Sequence, residues 1–263
     1  DQAYGLLPSV VLAGQRRDWL SEARREIKME KLGREHFLKI NSRFENIINA
    51  SFDSEYGGNL SDLFQFVEDL TLWLNILNEK IDTTILTSVV NEYELGFQAV
   101  ANGQYRHAFM SNRYFLEQIC RFIYLSTNEL CLRQWKLGLR EVAWGSLVDK
   151  DNGIFSKLFI RSFFPEVESE GEHMLKLVSS LYRETSEFIH GNFTKIVTSS
   201  SEIEFKPKLL KAWLEFMETN KFVSTFLLFM RFSKDCTRED ILRLEELARD
   251  ELSGIEGFNI LFI

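Results

Sequence analysis

Residues 174–191 read Met174-Leu175-Lys176-Leu177-Val178-Ser179-Ser180-Leu181-Tyr182-Arg183-Glu184-Thr185-Ser186-Glu187-Phe188-Ile189-His190-Gly191, a pattern with the period of an α-helix. Met174, Leu177, Val178, Leu181, Tyr182, Phe188 and Ile189 recur at the spacing that lines one helical face for burial against a bundle. Ser179, Arg183, Ser186, Glu187 and His190 fall on a separate polar ridge, three or four residues apart. Gly191 supplies the stop, because glycine takes the left-handed conformation at little cost.

The same period extends outward in both directions. Upstream, residues 104–127 place Ala108, Phe109, Leu116, Ile119, Cys120 and Ile123 on one side and Arg106, Arg113, Glu117 and Arg121 on another, an amphipathic helix. A helix over Thr83–Asn102 should stop at Gly103, and residues 15–52 form a long amphipathic helix, or two divided near Gly33. Between them a helix carries Leu63, Phe66, Leu70, Trp73 and Leu77, capped by Asn59 or Ser61. Helical stretches are expected at 130–144 and 154–163. Pro165 suits the first turn of the next helix, which Gly171 threatens to interrupt before a regular part at 172–190. Downstream, residues 192–207 turn to Thr, Ser and alternation, a loop or one short β-hairpin near 194–206. Helices follow at 208–232 and 238–252, the latter capped by Thr237.

Composition agrees with packed helices. Only three prolines and as many as 23 phenylalanines stand in a chain with 45% hydrophobic residues, which suits neither a turn-rich β protein nor a disordered one. A formal charge of −8 argues against bulk electrostatic binding of long nucleic acid and leaves room for a local basic patch. Cys120, Cys131 and Cys236 are too widely spaced for a zinc site or disulfide framework and read as free thiols. No apolar run reaches the roughly 18–20 residues of a membrane span. Residues 222–232, bounded by Lys221 and Arg231, read as a core helix. Residues 6–14 are apolar, but Arg16 and Arg17 follow them, the wrong order for a secretory signal. A cytoplasmic protein is the expectation.

Arg183 and His190 stand seven residues apart, so two turns of about 3.6 residues each bring them nearly into eclipse. An arginine and a histidine on one ridge suit a phosphodiester: the guanidinium forks onto phosphate oxygens and the imidazole, titrating near neutrality, moves protons. RNA carries its own nucleophile, the 2′-hydroxyl, so a base and a cation together can cleave it without a metal. The same residues also have a purely local reading, with His190 at a helix C-terminus meeting the last carbonyls and Arg183 paired with Glu187 one turn on. Likewise Glu117 can pair with Arg113 or Arg121 along its own helix. His36, His107 and His173 sit among charged residues and read as solvated, and the five tryptophans sit at apolar-face positions, as core or interface anchors. No metal-ligand spacing, phosphate loop or serine-hydrolase elbow occurs, and neither a metal nor a cofactor is expected.

The run Leu181–Asn192 resembles the HEPN superfamily, whose signature is an arginine, four to six residues, then a histidine on one helix of a small bundle. The upstream run Arg113-Tyr114-Phe115-Leu116-Glu117 is similar to the arginine-and-glutamate helix of HEPN-like proteins from bacterial conflict systems. The resemblance spans about residues 105–192 and implies an all-α bundle; the chain then reads as a long-helix region, 1–103, a HEPN-like helical core, 104–192, and C-terminal helices, 193–263, packed on the same body. It implies a metal-independent RNA endonuclease of an antiviral defence or toxin system, acting as a dimer, with Arg183 and His190 in the catalytic positions. Ser186, Glu187, Arg113 and Glu117 would support them. Other members of the superfamily have lost activity and serve as interaction or dimerisation modules, the alternative for this chain.

Overall fold

A computed structural model describes residues 19–189 and 203–262, and among these every regular element is helical. The described residues fall into two units that part after Arg43. The first holds most of helix α1 (Trp19–Phe52), which runs without a break through Gly33. Met29, Leu32, Phe37 and Leu38 of this unit are exposed.

The second unit begins at Phe44 and contains α2 (Gly57–Leu77), α3 (Thr84–Ala101) and α4 (Tyr105–Leu125). Neither Asn59 nor Ser61 caps α2, which starts earlier, and Ser61 instead bonds back to the Gly57 carbonyl. Ser54 closes the preceding turn, accepting from the Tyr56 N–H at 3.2 Å. Gly103 is the expected stop of α3. Its φ is +72°, and a Cβ there would lie 2.9 Å from the Glu204 carbonyl oxygen, so both conformation and space call for glycine.

Short helices follow: α5 (Glu129–Lys136), α6 (Trp144–Leu147) and α7 (Lys157–Phe163). The helical stretch expected over 130–144 therefore holds only as far as Lys136, since residues 137–143 are not helical and α6 starts at Trp144. The break comes at Gly138, whose φ of +68° ends α5 after the Asn128 side chain has capped its start. Pro165 opens a 3₁₀ turn, Pro165–Glu170, kinked at Val167. Gly171 does not interrupt the next helix, α8 (Gly171–Ile189), but begins it. A Cβ on Gly171 would sit 2.5 Å from the Phe155 carbonyl oxygen, so the missing side chain lets α8 start directly against the segment before α7.

Then come α9 (Pro207–Phe232), α10 (Arg238–Arg243) and α11 (Glu245–Leu252), and a 3₁₀ segment, Glu256–Phe262. Thr237 caps α10 as expected and shares a reciprocal capping box with Asp240, but one helix over 238–252 is instead two, divided at Leu244. Residues 203–206 form no strand, and the rest of the segment read as a hairpin lies outside the described residues.

The core gathers around α9, whose apolar residues face all sides, as in a helix surrounded by others. It packs on α2, α4, α7, α8 and α11. Residues 222–232 are the deepest part, with Phe226 to Met230 almost wholly buried, and no helix among the described residues is long and apolar enough to cross a membrane. Cys120 and Cys131 are buried free thiols, and Cys236 is half-buried and also free. Helix α4 lies between α3, α8 and α9, and this position sets the polar contacts described next.

Candidate functional site

Helix α8 shows the two faces its sequence implies. Met174, Val178, Leu181 and Phe188 are buried, and Phe188 stacks on Phe109 of α4 with ring centroids 3.8 Å apart. Fixing that face against α4 determines where the polar residues point.

One group turns toward α4 and is tied into the fold. The Arg113 guanidinium donates to the Tyr182 hydroxyl at 2.5 Å, to the Ser186 hydroxyl at 3.0 Å and to the Glu117 carboxylate at 3.0 Å. It also lies 4.2 Å from the centroid of the Tyr182 ring, whose other neighbour, Trp144, is stacked at 4.1 Å. Ser186 in turn donates to the Tyr182 carbonyl. Only 13% of the Arg113 side chain and 22% of that of Glu117 is exposed, so this is a partly desolvated cation with most of its donors occupied. Glu117 pairs with Arg113, while Arg121 bonds Gln118 at 2.7 Å.

Arg183 belongs to a different surface. It is exposed, and its one side-chain hydrogen bond among the described residues is a long one to the Ser180 hydroxyl at 3.5 Å. No ion pair joins it to Glu187, which is half-buried. The structure thus brings Arg113, Glu117 and Ser186 together and leaves Arg183 apart from them. His190 lies outside the described residues.

Arg183 stands on the wall of a groove of about 970 Å³ between α8 and residues 148–158. From α8, Glu172, Lys176, Ser179 and Arg183 line it at spacings of four, three and four residues, one continuous ridge. Opposite are Lys150 and Lys157, with Phe155 and Leu158 between the charges, while Leu175 adds apolar surface from α8. Four cationic residues thus face two acids, Asp151 and Glu172, in a chain whose overall charge is −8. Lys176 bonds Glu172 at 2.7 Å and holds that carboxyl below its usual range, with the charges of Lys150 and Lys157 acting in the same direction. Among the described residues neither Lys150 nor Lys157 has an acidic partner within ion-pair distance. Sequence patterning singles out Arg183 but neither lysine of the opposite wall, because Lys150 lies in a loop and Lys157 at the start of the short helix α7, and neither position carries any signal about its place relative to α8.

A second groove, about 540 Å³, is lined by Lys80, Asp82, Glu129, Arg133 and Lys136, but its cations are matched. Arg133 pairs with Glu129, Lys136 with Asp82, and Lys80 with Asp240. Among the described residues no three histidine, cysteine or acidic side chains are grouped to hold a metal ion. The chain matches no protein-family model, no curated protein and no solved structure.

Proposed function

We propose that this chain is a HEPN-like RNA endonuclease of a bacterial antiviral defence or toxin system, cytoplasmic and acting as a homodimer without a metal. The observation that carries the reading is the placement of Arg183: exposed, and on the wall of a groove where, among the described residues, it and the opposing Lys150 and Lys157 have no acidic partner. In this mechanism His190 takes the proton of a ribose 2′-hydroxyl, and the freed oxygen attacks the adjacent phosphorus. Arg183 stabilises the charge that builds on the phosphoryl oxygens, the 5′-oxygen leaves with a proton from water, and His190 returns the 2′-hydroxyl proton to solvent. The products are a 2′,3′-cyclic phosphate and a 5′-hydroxyl. Arg113 acts at one remove, by fixing α8 through Tyr182 and Ser186. Purified protein should therefore cleave a mixed RNA pool in chelator and leave cyclic phosphate ends, and His190→Ala should lose this activity with its helical circular dichroism intact. Equal cleavage by parent and variant would remove His190 from the reaction.

A non-catalytic interaction module is the second reading, favoured by the exposure of Met29, Leu32, Phe37 and Leu38 on α1, since exposed apolar groups gathered on one helix mark partner surfaces. On that reading the chain self-associates through α1, and Phe37→Glu should shift the mass measured by sedimentation equilibrium from dimer to monomer. An unchanged mass would take α1 out of the contact.

A further inference from the structure

A cation on a protein surface is ordinarily near an acid, and the groove lined by Lys80, Arg133 and Lys136 follows that habit. The groove beside Arg183 departs from it. Its two walls are built independently, one from the regular ridge of α8 and the other from the segment that Gly171 allows to approach that helix, yet among the described residues Arg183 on the first and Lys150 and Lys157 on the second have no acidic partner within ion-pair distance. Between the charges lies apolar surface, and Leu158 is 68% exposed there, although it lies in the first turn of a helix with a buried face that it does not join. Cations alternating with apolar surface match a ligand that itself alternates charge with flat, weakly polar groups.

We infer that this groove binds an unpaired RNA strand on either side of the scissile phosphate, with Lys150 and Lys157 holding phosphates on one wall, Arg183 meeting the scissile phosphate from the other, and Leu158 serving as a shelf for a base. The inference deepens the nuclease reading and rests on it for the identity of the strand. A duplex fits less well, because its bases are stacked away from the shelf and it offers only its backbone. The lysines add affinity that falls with salt, and the shelf adds a contribution that does not. Lys150 and Lys157 are therefore positioning residues, which hold the strand so that Arg183 meets the reacting phosphate, and they take no part in proton transfer.

The test separates binding from cleavage. A short, fluorescein-labelled oligouridylate with 2′-O-methyl groups has no nucleophile, so its anisotropy with the full chain reports binding alone. The double variant Lys150→Ala/Lys157→Ala should weaken binding about ten-fold in roughly 50 mM salt, and should lower the slope of log K against log salt by about 1.4, at about 0.7 for each phosphate no longer neutralised. Leu158→Ser should weaken binding with the slope unchanged. Lys136→Ala, in the other groove, should do neither. Unaltered affinity and slope in the double variant would overturn the groove as the binding site, even if the parent protein cleaves RNA. Conversely, the expected weakening in a protein that cleaves nothing would uphold the groove and end the nuclease reading. A duplex of equal length, or polyglutamate of equal charge, that displaced the labelled strand equally well would overturn recognition of an unpaired RNA strand. All these side chains are exposed, so the variants should fold as the parent does.

Discussion

Arg183→Ala is expected to slow RNA cleavage by about 10²–10³-fold, the usual cost of removing one donor aimed at charge that develops in a transition state. The same change should alter stability by no more than about 0.5 kcal/mol, because the side chain is exposed and among the described residues makes one long hydrogen bond, to Ser180. Arg183→Lys should recover part of the rate, since it restores the charge but not the planar fork. Arg113 provides the contrast. Arg113→Met removes three hydrogen bonds and leaves the partly buried Glu117 carboxylate without its partner, so the fold should lose about 2–3 kcal/mol. Any fall in cleavage by that variant should follow the fraction unfolded and disappear at lower temperature. Thermal unfolding and initial cleavage rates, measured on the same preparations, check both halves. Full activity in Arg183→Ala would exclude that side chain from the chemistry, and a slower rate in Arg113→Met with unchanged unfolding would move Arg113 into the site.

These two arginines also show what a sequence does and does not disclose. The all-helical class and most helix positions follow from local rules, because an amphipathic period, a cap such as Thr237 and a stop such as Gly103 act within a few residues of themselves. Where those signals are weak the reading fails: Gly138 ends early a stretch that reads as helical to Trp144, and Leu244 divides one that reads as a single helix. The ridge bearing Arg183 is legible in the spacing, yet its neighbours are not. Arg113 reaches Tyr182 and Ser186 across 69 and 73 residues of chain, and Lys150 in a loop and Lys157 at the start of α7 come opposite α8 only through the packing of the bundle. Periodicity assigns a residue to a face, whereas the identity of whatever covers that face depends on the packing of the whole bundle. Ser186 illustrates the difference. It shares a ridge with Arg183 in the sequence, but the approach of α4 commits it to Arg113.

Trp213→Ala is expected to destabilise the fold by about 3–5 kcal/mol, the largest effect on stability anticipated for a single side chain here. Trp213 lies on α9 with no exposed surface, and its indole N–H donates to the Ala108 carbonyl of α4 at 3.2 Å. Its ring meets Phe97 of α3 edge-on with centroids 6.1 Å apart, so one residue joins three helices. Alanine would remove the transfer energy of a large aromatic group and leave a cavity that α9 cannot close, because other faces of that helix pack on α2, α7, α8 and α11. In a unit of this size such a change lowers the unfolding temperature by about 10 °C or more. Trp213→Phe should lose less, since it keeps most of the volume while giving up the hydrogen bond. The sequence of stabilities parent, Phe, Ala is measurable by urea denaturation, with the midpoint falling and the slope constant if the unit remains two-state. A midpoint unchanged in Trp213→Ala would mean that α9 is not the centre on which α3 and α4 are assembled. The consequence reaches the groove, because α4 fixes α8 through Arg113 and Phe109, and α8 carries Arg183. Removing this core side chain should therefore lower affinity for the 2′-O-methyl strand as well as stability, whereas Lys150→Ala/Lys157→Ala lowers affinity alone.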